Sequence, residues 1–334
     1  MENRTAQFVQ TTKRNEVLNL LKGLACIAVV FIHIKFPGAV GIILGSSLTH
    51  FAVPSFLMIA GYFAFEKDEA VIKRRLIKIL KIFAFGYLCF LGYNVFVQIL
   101  RGFAIEWLSL NFKYTTPIKY AVFCTIDFAI PLWYLIAMAE TYIVWYFIVK
   151  HKKENKALYV MPLLFLFKMV LTVYCETNHL PWMYKINFLT GAMPYFLFGY
   201  YLHSKETFFK SFRYSSVLLV IIAGILISMI SLFCGFHIKF SCIGIVFYSL
   251  AIFTLAIKIP KKSYCRPLEY IGDKLSLNVY IFHMLIASVL STVCSKYLLN
   301  IDLSAGLLNW IRPILVVILT LVWAQVLEKV KIRF

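Results

Sequence analysis

His33, Lys22 and Asn19 stand within one apolar run, VLNLLKGLACIAVVFIHIKF at 17–36. On an α-helix the eleven residues from amine to imidazole make three turns plus about 20°, so both side chains share a face about 16 Å apart along the axis. Asn19 and Cys26 fall near that same face. An imidazole at membrane depth can take a proton from a hydroxyl as general base, or accept an acyl group as nucleophile; the spacing does not choose. An ammonium near the other end can hold an anion. Each has a plainer alternative: an imidazole can hydrogen-bond a neighbouring helix, and a lysine can snorkel to the interface.

Other polar groups interrupt later apolar runs. His283 sits in YIFHMLI, with Tyr280 three residues earlier on the same helical face. Its reading is catalytic or structural. Glu140 and Lys168 carry opposite charges in mid-run, as a buried pair or as the lining of a wet cavity. Asp127 precedes Pro131 and the aromatic pair Trp133 and Tyr134; a solvated loop carboxylate is its plainer role. Arg75 and Lys78, three apart in a basic cluster, can converge on one anionic group, whether a ligand's phosphate or a lipid headgroup.

The elements that position these groups follow from composition. The chain of 334 residues is 61% hydrophobic and only 15% charged, with mean hydropathy +0.81, which places it with polytopic membrane proteins rather than soluble domains. Ten apolar runs are predicted to be spanning helices, at 17–35, 41–65, 76–100, 130–149, 157–175, 187–203, 214–235, 239–258, 275–295 and 305–327. The fold class is therefore all-α: one membrane domain over 17–328, a polar arm at 1–16 and a short tail at 329–334. The sixth run is the weakest, being short and carrying Gly191, Pro194 and Gly199. The arm lacks the pattern of a cleavable signal peptide, so the first run is expected to remain as an anchor.

Lys and Arg fall on alternate sides of these runs in a ratio of about three to one, and the richer side holds both termini, which are expected to be cytoplasmic. That distribution accounts for the net charge of +19 without a nucleic-acid partner. The eight cysteines form no CxxC pair, so neither a disulfide framework nor a metal site is indicated. No glycine-rich phosphate loop, no GxSxG element and no solenoid repeat is present. The one sizeable outer loop, 101–129, carries Trp107, Tyr114 and Tyr120, aromatic surfaces suited to stacking on a sugar.

Five segments, in order, resemble the bacterial membrane acyltransferase family 3, the multi-span O-acetyltransferases of surface glycans. Asn19, Lys22 and His33 keep the spacing of that family's Asp, Arg and His in its first span, with Asn for Asp and Lys for Arg. FAVPSFLMIAGYFAF at 51–65 is similar to its VPxFFxxSGYxF segment, with Ala60 where serine is common. RRLIKIL at 74–80, IPLWYLIAM at 130–138 and IGDKLSLNVYIFHMLI at 271–286 resemble its basic RxxR segment, its LWYL segment and its IGxxSLxIYxxHxxI segment.

The resemblance implies transfer of an acyl group, usually acetyl, from cytoplasmic acyl-CoA to a sugar hydroxyl of a polysaccharide or lipid-linked precursor at the outer face of a bacterial inner membrane. It implies Lys22, Arg75 and Lys78 as the acyl-CoA contacts, with His33 and His283 as the catalytic pair. No Asp stands one turn from His33 to orient it, so Asn19, Tyr280 or a backbone carbonyl would have to serve, with Trp133 and Tyr134 as further supporting residues. Acetyl-CoA enters as donor substrate and no metal is expected; the expected partners are donor, glycan, membrane lipids and a possible second copy of the chain. The chain ends without the esterase-like extension of some relatives, and so is expected to be of the stand-alone type. Two other readings compete: a transporter of a small solute or glycan precursor, which also places charges at membrane depth, and a non-catalytic relative marked by the altered Asn19 and Lys22.

Overall fold

The computed structural model describes residues 15–234, 239–295 and 299–330, and among these every regular element is a helix. In chain order they are α1 (Glu16–His33), α2 (Gly38–Ser46), α3 (Ala52–Tyr62), α4 (Glu69–Arg101), α5 (Ala104–Asn111), α6 (Thr116–Phe123), α7 (Trp133–Lys150) and α8 (Glu154–Thr177). There follow α9 (Met193–Ser204), α10 (Glu206–Ser211), α11 (Tyr214–Phe233), α12 (Ser241–Lys258), α13 (Arg266–Tyr270), α14 (Ser276–Cys294) and α15 (Gly306–Lys329).

Local chemistry sets the ends. The Asn15 side chain accepts from the Leu18 amide and starts α1, and Asp68 does the same for Val71 at the start of α4. These bonds satisfy amides that the first turn leaves without a helical partner. At its other end α4 stops on Gly102 in the left-handed region, φ 79°, where a side chain is disfavoured. Its 33 residues make about 50 Å, against about 30 Å of hydrocarbon, so the turns bearing Lys73, Arg74, Arg75, Lys78 and Lys81 extend beyond the lipid core.

Nine helical runs among the described residues are long and apolar enough to cross a bilayer. The sixth predicted span, 187–203, is the difference. Asn187 caps it by accepting from Leu189 and Thr190, Phe188–Ala192 is a π-helical turn, and α9 adds only 12 residues. Lipid imposes a length requirement only on a helix that faces it, and this one is covered by α3, α7 and α8. It runs parallel to α7: Gly191 lies against Trp133, Phe196 against Tyr142 and Trp145, and Tyr200 against Trp145.

One other predicted span is broken. The second consists of α2, a 3-10 turn at Leu48–Phe51 and α3. At the break the Tyr248 hydroxyl donates to the Ser47 carbonyl, and the Ser47 hydroxyl donates to Ser228 at 2.9 Å, so the polar groups freed from the helix find partners inside the bundle. The ninth, 275–295, is α14 without a break, and α13 and a π turn at Ile271–Leu275 lead into it.

The interior is built on close helix approach at glycine. A Cβ on Gly61 would collide with the Phe196 carbonyl oxygen and one on Gly199 with that of Met58, which locks α3 against α9. Likewise a Cβ on Gly23 would strike the Leu268 carbonyl and one on Gly272 that of Asn19, which locks α1 against α13 and its π turn. In lipid, where apolar surface gives helices no reason to associate, such close backbone packing is a main source of adhesion. By contrast α4 and α8 leave most of their length to the lipid, while more than half of α1 is buried. Gly61→Val is expected to destabilise the bundle by about 1–3 kcal/mol through overpacking, read as a lower melting temperature in detergent, with Gly92→Val, at a position facing open space, as the neutral control.

Candidate active site

Glycine contact between α1 and the α13–α14 run sets the two in parallel register, and the Cys26 thiol donates to the Ser276 carbonyl at 3.4 Å. One consequence lies two turns further along. His33, on the last turn of α1, and His283, on α14, have ring centroids 5.2 Å apart, tilted by 41°. Their separation in sequence is 250 residues, and the register of two helices brings them together.

His283 is fully buried. Its Nδ1 lies 2.7 Å from the Tyr280 carbonyl oxygen and 3.2 Å from that of Val279. A carbonyl can only accept, so Nδ1 carries the proton in this arrangement and the neutral ring keeps a lone pair on Nε2. That Nε2 is buried and has no hydrogen-bond partner. A buried polar atom left without a partner costs about 1–3 kcal/mol, and it is the kind of group that a bound molecule or a moved side chain satisfies. His33 is only partly buried, and so offers a way in.

Beneath the pair lies an aromatic floor. The Tyr280 ring is 6.2 Å from that of His283, 4.9 Å from Tyr134 and 6.0 Å from Phe56. Trp133 stands edge-on to Tyr134 at 6.4 Å, and all but Phe56 are buried. Rings that pack edge to face leave little rotational freedom, so α3, α7 and α14 together fix the depth at which His283 is held. The sequence pointed to Tyr280, Trp133 and Tyr134; Phe56 escaped notice because a phenylalanine in an apolar run gives no signal.

The remaining expected residues are placed elsewhere. Asn19 is buried at the opposite end of α1, fourteen residues or about 21 Å from His33 along the axis, so it cannot orient that imidazole. Its carbonyl instead meets Gly272. Lys22, one turn on and half-buried, lies near Cys26. The Arg75 guanidinium donates to the Phe63 carbonyl at 2.8 Å and lies by the Tyr142 hydroxyl, while Lys78 is exposed. Glu140 accepts from the Cys124 thiol at 3.2 Å and Lys168 stands over the Tyr195 ring at 5.4 Å, so these two do not pair with each other. Asp127 makes an exposed ion pair with Lys119 at 2.6 Å. Among the described residues no group of acidic, histidine or cysteine side chains could hold a metal. A groove of about 550 Å³ between α8 and α12 is apolar, and neither histidine lines it.

Arg75 belongs to a clamp at the end of α3 that sequence reasoning missed. His203 Nδ1 bonds the Tyr62 carbonyl at 2.7 Å, and its ring stacks on Tyr62 at 4.1 Å and on Phe65 at 4.7 Å. The Tyr62 hydroxyl donates to Glu206 at 2.7 Å, and Lys210 and Lys261 pair with the same carboxylate. Two side chains from distant helices thus take up carbonyls that α3 leaves open where it ends.

This is an all-helical, polytopic membrane protein with two imidazoles facing each other at one end of its first helix. A family model described as "Acyltransferase domain" matches residues 15–329. The chain belongs to the membrane-bound acyltransferase family 3. No curated protein and no solved structure matches it.

Burial pushes the Glu206 carboxyl up, but hydrogen bonds from Lys210 and Tyr62 and the Lys261 charge outweigh it and hold the group down at about 2, below its ordinary 4.5. A carboxylate stabilised in the folded state contributes fully above its unfolded value, and that contribution is lost as pH falls from about 4.5 towards about 2. Glu206→Gln is therefore expected to melt below the parent at pH 7, with the gap closing as pH drops through that window. A gap independent of pH would show that the carboxylate charge is not what the clamp uses.

Proposed function

We propose that this protein moves an acetyl group from cytoplasmic acetyl-CoA to a sugar hydroxyl of a surface polysaccharide or its lipid-linked precursor, at the outer side of a bacterial inner membrane. Membership of an acyltransferase family supports the transfer chemistry. The observation that carries the assignment of roles is the facing pair: a partly buried His33 5.2 Å from a His283 whose Nε2 lone pair is unclaimed. A lone pair there can receive the N–H of His33 after a small ring rotation. The opposite nitrogen of His33 is then left as the base for the incoming hydroxyl.

Donor and acceptor approach from opposite ends of α1. The excess of Lys and Arg on one side supports an orientation with both termini in the cytoplasm, which puts Lys22 at the donor side and His33 at the acceptor side. The several negative charges of CoA suit Lys22, Arg75 and Lys78. Arg75 keeps its backbone bond to Phe63 through one nitrogen, and a guanidinium has further donors for a phosphate. The thioester then reaches His33. Proton removal by the imidazole lets the sugar oxygen attack the thioester carbonyl, and CoA departs as the thiolate that takes up the proton.

His33→Ala is expected to lower transfer of labelled acetyl by about 100-fold or more, the usual contribution of a positioned general base, without changing the melting temperature by more than a few degrees. A folded variant acetylating at the parental rate would sink the proposal. Lys22→Ala is expected to raise the KM for acetyl-CoA and leave kcat nearly unchanged, whereas an unaltered KM would mean that Lys22 serves only to reach the interface.

A further inference from the structure

His50 was not among the residues singled out from the sequence, yet it lies inside the bundle, on the 3-10 turn that breaks the second span. Its Nδ1 is buried and has no partner. Around it gather the charges of Lys35, Lys168 and Lys185, together with His33. Lys35 lays its stem over Gly45 and reaches Ser46 at 3.2 Å. Lys185 pairs with Glu176 at 2.7 Å. The same carboxylate acts on Lys168, so one negative charge stands among three lysines, and the cluster keeps an excess of positive charge beside the acceptor end of α1.

Lys168 makes the imbalance hardest to explain structurally. It belongs to α8 at membrane depth, and no carboxylate of the described residues lies within ion-pair distance of it. It stands over the face of Tyr195, with Glu176 acting from further away and Lys185 opposing it, and these offset only part of the cost of holding an ammonium out of water. Charges at this depth persist where function needs them.

We propose that the acceptor carries an anionic group, a carboxylate or a phosphate, which Lys168 and Lys35 hold and to which the His50 ring is turned. The inference rests on the acyl-transfer reading for the word "acceptor", and it narrows the substrate from any glycan to an acidic or phosphorylated one. Fixing that group beside His33 positions a neighbouring hydroxyl for attack, which is where orientation gains rate.

Calorimetric titration of the purified full chain in detergent, without donor, tests this using glucuronate, glucose 1-phosphate and glucose. Binding of one or both anionic sugars and none of glucose is expected; glucuronate alone identifies a carboxylate, glucose 1-phosphate alone a phosphate. Lys168→Gln is expected to weaken binding by about ten-fold or more, the scale of one lost charge-assisted hydrogen bond, and Lys168→Arg to retain it. Glucose binding as well as the anions do, or undiminished affinity in a folded Lys168→Gln, overturns the proposal. Should Lys168→Gln fail to fold, Lys35→Gln at the exposed mouth carries the same expectation, and unchanged affinity there overturns it equally. Because no turnover is involved, a chain that binds the anions but transfers no acetyl refutes the acyl-transfer reading alone, and one that transfers acetyl but binds neither anion refutes this one alone.

Discussion

Lipid cannot hydrogen-bond a peptide group or solvate an imidazole, and most of this structure follows from that constraint. At the turn after α2 and at the end of α3, side chains from other helices meet backbone carbonyls set free. Tyr248 and Ser228 serve the turn at Ser47. At the end of α3, His203 and Arg75 take the Tyr62 and Phe63 carbonyls. The Nε2 of His283 and the Nδ1 of His50 are two of the buried polar side-chain atoms without a hydrogen-bond partner, alongside others such as Trp145 Nε1 and Thr172 Oγ1 elsewhere in the bundle. These two both lie near His33.

Position within the bundle follows from backbone approach. Glycine pairs bring α1 against α13 and α3 against α9 closely enough that any side chain would collide with a carbonyl. The first contact sets the register that carries His33 to His283. The second holds Phe56, on α3, under Tyr280 and Tyr134. Residues remote from the histidines thus decide where the imidazoles stand, and a one-residue slip at Gly23 or Gly272 would turn His33 about 100° away from its partner.

Much of this was legible in the residues. Long apolar runs announce spanning helices because lipid demands length, and the shared face of Lys22 and His33 follows from helix periodicity alone. The family's segments pointed to His283, Tyr280, Trp133 and Tyr134, which the fold gathers. What escaped was whatever depends on contact between distant segments. The buried run 188–204 needs no lipid-spanning length, so hydropathy over-read it as a full span. Asn19 shares a face with His33 but not a depth, because a shared helical face does not bring residues fourteen apart together. His50, like His33, is an ionisable group within an apolar stretch, and that signal is legible in the residues.

The central claim is that His33 and His283 act as one unit in acyl transfer. The most direct measurement is a double-mutant cycle on the rate of labelled acetyl transfer, comparing His33→Ala, His283→Ala and the double variant. If His283 works by holding His33, the double variant should be no slower than His33→Ala alone, because the second change removes a support for a group already gone. Losses that multiply, with the double variant slower by the product of the two single effects, would mean that the imidazoles act independently and would contradict the account.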